Sequence, residues 1–262
     1  MASFDADLAL AHQLADNAES LAMSRFLALD LKVKTKPDLT PVTDADTAVE
    51  QSMRETLERE RPRDGVLGEE FGTTGASQRR WVLDPIDGTK NFVRGVPVWA
   101  SLIALMEDDE VVVGVVAAPA LGRRWWEAQG AGAHTGGRLA DSRSLHVSAV
   151  ATLEDASFSC SDDVGWDTAS APGALDALRA RTWRSRAYGD FWSHVLVAEG
   201  AADIAAEPDL GPWDVAALVP VITEAGGRIT SFTGGPSVGP GGALTTNGLL
   251  HEAVLDLVRP TN

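Results

Sequence analysis

Hydrophobic positions along this chain follow two styles, one in each half. In residues 5–29, Leu8, Ala11, Ala15, Ala18 and Ala22 form one small-apolar stripe, widened by Leu14, Leu21 and Phe26. That spacing predicts a helix which a neighbour can approach closely. A second helix is predicted from Val49, Met53 and Leu57, with Thr43 or Asp44 as its cap and residues 61–65 as its end. Between them, residues 31–33 are a short strand candidate, and 34–44, with Pro37 and Pro41, read as a loop. Residues 66–67 and 81–83 are brief strands, and 72–80 read as a surface connection. Apolar runs at 99–106 and 111–118 flank the charged stretch 107–110 and predict a hairpin, with 123–128 as a third antiparallel strand. Adjacent Trp125 and Trp126 must face opposite sides of such a strand, which leaves one of them for an exposed face or a partner subunit. This half reads as a broad antiparallel sheet with both helices on one face.

From about Leu145 short strands and helices alternate. Strand candidates lie at 156–160, 183–185, 202–206, 228–231 and 243–246, and helices at 172–181, 188–199, 213–225 and 249–258. Residues 162–173 and 207–212 read as loops. Two domains without a flexible linker are expected: 1–144, of α+β type, and 145–262, of α/β type.

Composition narrows what such a chain can bind. Its 262 residues carry 38 acidic and 22 basic side chains, a formal net charge of -16. That surface repels nucleic acid and anionic membranes. It also repels phosphate esters, so a phosphate site here needs bound cations or a local group of donors. The single Cys160 excludes an intrachain disulfide and a cysteine-rich metal site. No apolar stretch with a basic leader opens the chain and none is long enough to span a bilayer, so a cytoplasmic protein is expected.

The candidate chemistry centres on Asp84-Pro85-Ile86-Asp87-Gly88-Thr89-Lys90-Asn91-Phe92, directly after the strand candidate. Two carboxylates three apart, with the Ile86 carbonyl between them, make the oxygen set that hard cations prefer. Gly88 and Thr89 can offer backbone N–H groups and a hydroxyl to an anion. A lone Asp-x-x-Asp would equally suit a polar turn after a buried strand. Glu69 and Glu70 add carboxylates upstream; on an extended backbone they diverge, so that one reaches a metal while the other stands behind it or in water. Trp213-Asp214 opens a later helix, whose positive end favours an ionised acid. All five histidines read as packing or surface residues; His194 alone lies where a helix could bring it toward the pocket.

Together Gly68-Glu69-Glu70, the Asp84 string, Trp213-Asp214 and Thr223-Glu224-Ala225-Gly226-Gly227 resemble the inositol-monophosphatase superfamily of Mg²⁺-dependent, Li⁺-sensitive phosphatases. The similarity covers nearly the whole chain. The stretches 36–44, 91–104, 187–191 and 197–213 look most like its actinobacterial branch acting on histidinol phosphate. The resemblance implies a layered α-β-α-β-α sandwich, usually as a homodimer, holding Mg²⁺ or Mn²⁺ and no organic cofactor. It also implies roles for particular residues. Glu69, Asp84, the Ile86 carbonyl, Asp87 and Asp214 match ligands of two or three ions. Asp44 matches the acid that partners Thr89, and Asp87, Gly88 and Thr89 match the phosphate site. Lys36 matches a loop residue that approaches it, and Glu207 the acid that binds the organic part of the substrate. Asp190 and Asp209 are added as candidates for an ammonium, and Tyr188, Phe191 or Trp192 for an imidazole ring, with core packing around a helix start as the alternative for the three rings.

The mechanism implied is direct in-line attack by metal-activated water, positioned or deprotonated by Glu69 and Thr89 with Asp44 behind, and no phosphoenzyme. Alternatives are an inositol-1-phosphate or broad sugar-phosphate phosphatase, and a non-catalytic metal-dependent regulator on the same fold. The intact carboxylate set argues against the latter.

Overall fold

The computed structural model describes residues 4–37, 39–137, 141–239 and 241–260. Asp38 of the predicted loop, and the parts of the two expected domains at 1–3, 138–140, 240 and 261–262, lie outside them. The first half runs α1 (Asp5–Arg25), β1 (Val33–Thr35), β2 (Pro41–Thr43), α2 (Asp44–Glu60), β3 (Gly65–Gly68), β4 (Gly72–Thr74), β5 (Arg79–Asp87), α3 (Thr89–Arg94), β6 (Ala100–Glu107), β7 (Glu110–Ala118), β8 (Arg123–Ala128), β9 (His134–Gly136) and β10 (Arg143–Ser144). The second runs β11 (Ser157–Ser159), α4 (Trp166–Ala169), α5 (Ala174–Arg181), β12 (Arg184–Arg186), α6 (Asp190–Ala198), β13 (Ile204–Leu210), α7 (Pro212–Ala216), α8 (Leu218–Glu224), β14 (Arg228–Ser231), β15 (Gly241–Thr246) and α9 (His251–Val258).

Among the described residues, β3 to β10 form an eight-stranded sheet in the order β10-β9-β8-β7-β6-β5-β3-β4. It is an antiparallel meander except for the parallel pair β3 and β5. The second sheet is β12-β11-β13-β15-β14, with β11 parallel to both its neighbours. Alternation along the strands sorts side chains into layers. Trp81, Leu83, Ile103, Leu105, Val113 and Val115 pack under α1 and α2. Val82, Leu102, Ala104 and Val116 point the other way, onto Phe191 and Val195 of α6 and Leu218 and Val221 of α8. Phe158, Ile204 and Leu244 face outward onto α5 and α9. The result is the α-β-α-β-α sandwich; the chain passes from the first sheet to the second between Ser144 and Ser157, and the central apolar layer is continuous between the sheets.

Several predicted elements change. Residues 34–44 are not one loop: β1 and β2 pair antiparallel, Val33 opposite Thr43 and Thr35 opposite Pro41. Part of the connection 72–80 is strand, because β4 adds an edge to β3. Residues 207–210 continue β13, so Glu207 sits on a strand rather than in a loop. The helix expected at 213–225 is two, α7 and α8, since Pro220 has no N–H for the carbonyl of Ala216. Neither tryptophan of the pair is left for a partner. Trp126 is 2% exposed beside His12 of α1, and Trp125 is 0% exposed beside Phe191, because helices of the same chain cover both faces of the sheet.

Candidate metal centre and substrate pocket

The site starts from a fault in β5. Asp84 pairs with Leu102 of β6 but Asp87 with Ala100, so three steps on one strand oppose two on the other. In a regular strand residues three apart face opposite sides; one inserted residue restores them to the same side. Pro85, which has no N–H to lose, occupies the bulge, and Ser101 Oγ donates to its carbonyl at 2.7 Å. Gly88 then takes a left-handed φ of 83° and starts α3. A Cβ there would come within 3.0 Å of the Val98 carbonyl oxygen.

Asp214 reaches the same point from α7, with Oδ2 accepting from the Gly211 N–H at 2.6 Å. Among the described residues Asp84, Asp87 and Asp214 each offer an oxygen, all within 4.8 Å of one another. Burial, and then the neighbouring carboxylates, push Asp84 and Asp87 well above the carboxylate range. Burial likewise lifts Asp214 to about 6, against the lowering effects of Gly211 and of a hydrogen bond with Asp84. Buried oxygen donors crowded in this way are a set that a hard divalent cation fits.

Glu69 stands beside them, its carboxyl raised by burial and further by Asp214 and Asp46, while Lys36 opposes the shift. It does not diverge from Glu70 as an extended backbone predicts. Both follow β3 in a turn and both meet Lys36: Glu69 Oε1 accepts from its Nζ at 2.6 Å, and Glu70 Oε1 forms an ion pair with it at 2.7 Å. Burial opposes the lysine's charge, but the two carboxylates prevail and raise its pKa. The turn is shaped by the buried Glu50, which accepts from the N–H groups of Glu70 at 2.7 Å and Phe71 at 3.2 Å. A Cβ on Gly68 would lie 2.0 Å from that carboxylate, so the position admits glycine alone without rearrangement.

The acid beside Thr89 is Asp46, not Asp44. Thr89 Oγ1 lies 3.2 Å from Asp46 Oδ1 and 3.0 Å from the Ile86 carbonyl oxygen, and its one proton serves one of them at a time. Thr43 caps α2, and Asp46 three residues on returns the bond to the Thr43 N–H at 2.8 Å. Two residues along a helix turn a side chain by about 200°. Asp44 therefore points away, to Arg25 at 2.9 Å.

Two joined chambers open here. The larger, about 460 Å³, is lined by Glu69, Asp87, Gly88, Thr89, Trp213 and Asp214. The smaller, about 280 Å³, adds Ser161, Asp162, His194 and Glu207, and Asp190, Asp209 and Lys90 line both. A hydrogen-bond chain ties this wall together: Asn91 Nδ2 donates to Asp190 Oδ2 at 3.0 Å, the Asp190 N–H to Ser161 Oγ at 2.9 Å, and Ser161 Oγ to Glu207 Oε1 at 2.8 Å. The Phe191 N–H donates to Asp87 Oδ2 at 2.7 Å and couples the wall to the carboxylate cluster. Burial lifts Glu207 to about 8, and Asp190 to about 6 with Lys90 opposing. Tyr188 is not among the lining residues; its ring packs against Trp192, centroids 5.8 Å apart.

Sequence reasoning missed Asp46, Glu50, Lys90 and Ser161. The capping pattern Thr43-x-x-Asp46 held the signal for the first. Ser161, 46 positions from Glu207, left no local signal.

A histidinol-phosphatase of Streptomyces coelicolor is 56% identical over 254 residues, 95% of each chain. One of Mycobacterium tuberculosis is 59% identical over 250 residues, 95% of this chain and 96% of that one. A solved inositol monophosphatase from Zymomonas mobilis superposes with a TM-score of 0.85 at 32% identity, covering 98% of this chain and 99% of its own. The model of the inositol monophosphatase family matches residues 5–261, which takes in both sheets, the bulged strand and the Asp214 helix, and the chain belongs to that family.

Proposed function

We propose that this chain hydrolyses L-histidinol phosphate to L-histidinol and phosphate, a phosphomonoesterase step of histidine biosynthesis. The observation that carries the choice of substrate is the wall beyond the carboxylate cluster. It presents Asp162, Asp190, Glu207 and Asp209 against one lysine, Lys90. An ammonium on the leaving alcohol is drawn to the ionised members of this wall and favours loss of the Glu207 proton, whereas a neutral polyol gains little from it. The names borne by the relatives at 56% and 59% identity support the same reading.

Asp84, Asp87, Asp214, Glu69 and the Ile86 carbonyl are the proposed ligands of divalent cations, Mg²⁺ with Mn²⁺ as substitute, roughly two or three per site. When bound, such ions offset the charge of the phosphate dianion, acidify water and take up charge on the leaving oxygen. The chain's own groups do the rest. Backbone N–H groups of Gly88 and Thr89 receive phosphate oxygens. Thr89 Oγ1 orients the attacking water, and Asp46 Oδ1 behind it accepts the proton passed on through the hydroxyl. Glu69 flanks that water, with Lys36 poised on its carboxylate. Glu207 and Asp190 hold the ammonium, while Asn91 and Ser161 fix their orientation. Attack is direct, so no phosphoenzyme forms.

Family membership favours inositol 1-phosphate as the second reading, since the phosphate end does not discriminate between alcohols. Side-by-side kcat/KM values on the two esters decide. A preference for histidinol phosphate of at least tenfold, with rescue of a histidine auxotroph lacking its phosphatase, is the expected result; equal rates or a preference for inositol 1-phosphate refute it. We further infer a homodimer acting in the cytoplasm. Light scattering and cell fractionation test those two points, and no helix among the described residues is long and apolar enough to cross a membrane.

A further inference from the structure

His194 lies in α6, one turn beyond Asp190, and lines the smaller chamber together with Phe191 and Glu207. It is 1% exposed. Its Nδ1 is 2.8 Å from Thr245 Oγ1 on β15. Its Nε2 is buried and has no hydrogen-bond partner among the described residues. Buried polar atoms in folded proteins are nearly always met by a partner, so an unmet one on a residue that lines a chamber is a candidate contact for the molecule that enters it. Burial lowers the ring's pKa to about 4, so at neutral pH it is uncharged and has one donor and one acceptor nitrogen. With Nδ1 committed to Thr245, Nε2 is the nitrogen left over.

The rest of the chamber divides by chemistry. Its carboxylates suit a cation, and Val164, Phe191, Pro208 and Leu210 supply apolar wall. The apolar groups suit the faces of a flat neutral ring, whose edge nitrogens need polar partners around them. We propose that His194 is a specificity-determining residue whose Nε2 hydrogen-bonds the imidazole of the leaving alcohol, while Asp190 and Glu207 take the ammonium. An imidazole carries one N–H and one bare nitrogen, so it complements either tautomer of His194. The inference rests on the histidinol-phosphate reading above.

Hydrolysis of histidinol phosphate and of β-glycerophosphate, which lacks the ring, is compared for wild type, H194Q and H194F, each checked for folding by its melting temperature. H194F is expected to lose at least tenfold in kcat/KM for histidinol phosphate relative to β-glycerophosphate, with the loss in KM, and H194Q to regain most of it. An equal loss on both esters, or none, overturns the proposal. Should H194F not fold, the wild type decides. Nitrogen-15 spectra of protein labelled at its five histidines are followed as L-histidinol is added. Movement of the His194 Nε2 resonance with binding supports the contact, and binding without it overturns the contact. A wild type that cleaves β-glycerophosphate yet neither cleaves histidinol phosphate nor binds histidinol defeats the substrate reading itself, a failure distinct from loss of the His194 contact alone.

Discussion

Asp84 and Asp87 lie three residues apart on one bulged strand, with Asp214 brought in by a single helix start. Ser161, Asp190 and Glu207, by contrast, come from a strand end, a helix start and a neighbouring strand, and only hydrogen bonds across the second sheet make them a wall. Two of the three donors in the first region are held by one strand, so their spacing survives as long as that strand does. The second is an assembly of distant parts. A change in one member shifts the others, and selectivity there can vary without disturbing the cluster that handles phosphate.

The largest expected effect lies in the local region. Asp84→Ala should lower kcat/KM on every phosphate ester by about 10³-fold or more, about 4 kcal/mol. Calorimetry should show weakened Mg²⁺ binding in the same variant. Retention of activity at that position would remove the basis for treating the three aspartates as one centre.

Next come the two acids at the start of α2, whose roles the helix phase separates. Asp46→Asn and Thr89→Ala should each lower kcat by on the order of 10²-fold with little change in KM. Asp44→Asn, which touches Arg25 rather than Thr89, should stay within about twofold. The reverse ranking in steady-state assays would restore Asp44 to the site.

A smaller and selective loss is expected in the assembled wall. Glu207→Gln should cost roughly 10–100-fold in kcat/KM on histidinol phosphate, and much less on an uncharged alcohol's ester. An equal fall on both would mean that the wall supports the phosphate end instead of reading the alcohol.

The mildest test is the pH dependence of stability without metal. Asp190 and Asp214 are lifted to about 6, Glu70 to about 7 and Glu207 to about 8, chiefly by burial. Acids with raised folded pKa values keep protons that the unfolded chain has already lost. The buried His12, His194 and His251, lowered to about 4, act the other way below about 6.5 but are outnumbered by the acids, so stability of the metal-free protein should fall as pH rises from about 4 to about 8. Melting curves in a chelator should show that slope, and saturating Mg²⁺ should reduce it, because the cation takes over from protons at the clustered carboxylates. A metal-free protein that grows steadily more stable over the same window would contradict the raised values.

Much of this was legible from residue order alone. The strings around Glu69, Asp84 and Asp214 announced an oxygen-rich cation site, and the apolar runs announced a meander under two helices. What stayed hidden was phase and long-range placement. Sequence spacing cannot distinguish Asp44 from Asp46 until the cap at Thr43 sets where the helix begins. Nor can it show that Glu69 and Glu70 converge on Lys36, since that depends on Glu50 folding the turn after β3. Tyr188 and His194 illustrate the same limit from opposite sides: the ring expected in the pocket packs against Trp192, and a histidine read mainly as packing lines the chamber.

By itself, then, the order of residues determined which elements form and which oxygen donors the chain owns, because hydrophobic period and turn chemistry act over a few neighbours. Tertiary structure alone decided which carboxylates meet and which nitrogen is left without a partner. Those outcomes depend on strand register, a one-residue bulge and packing between two sheets, and these bring together residues far apart in sequence.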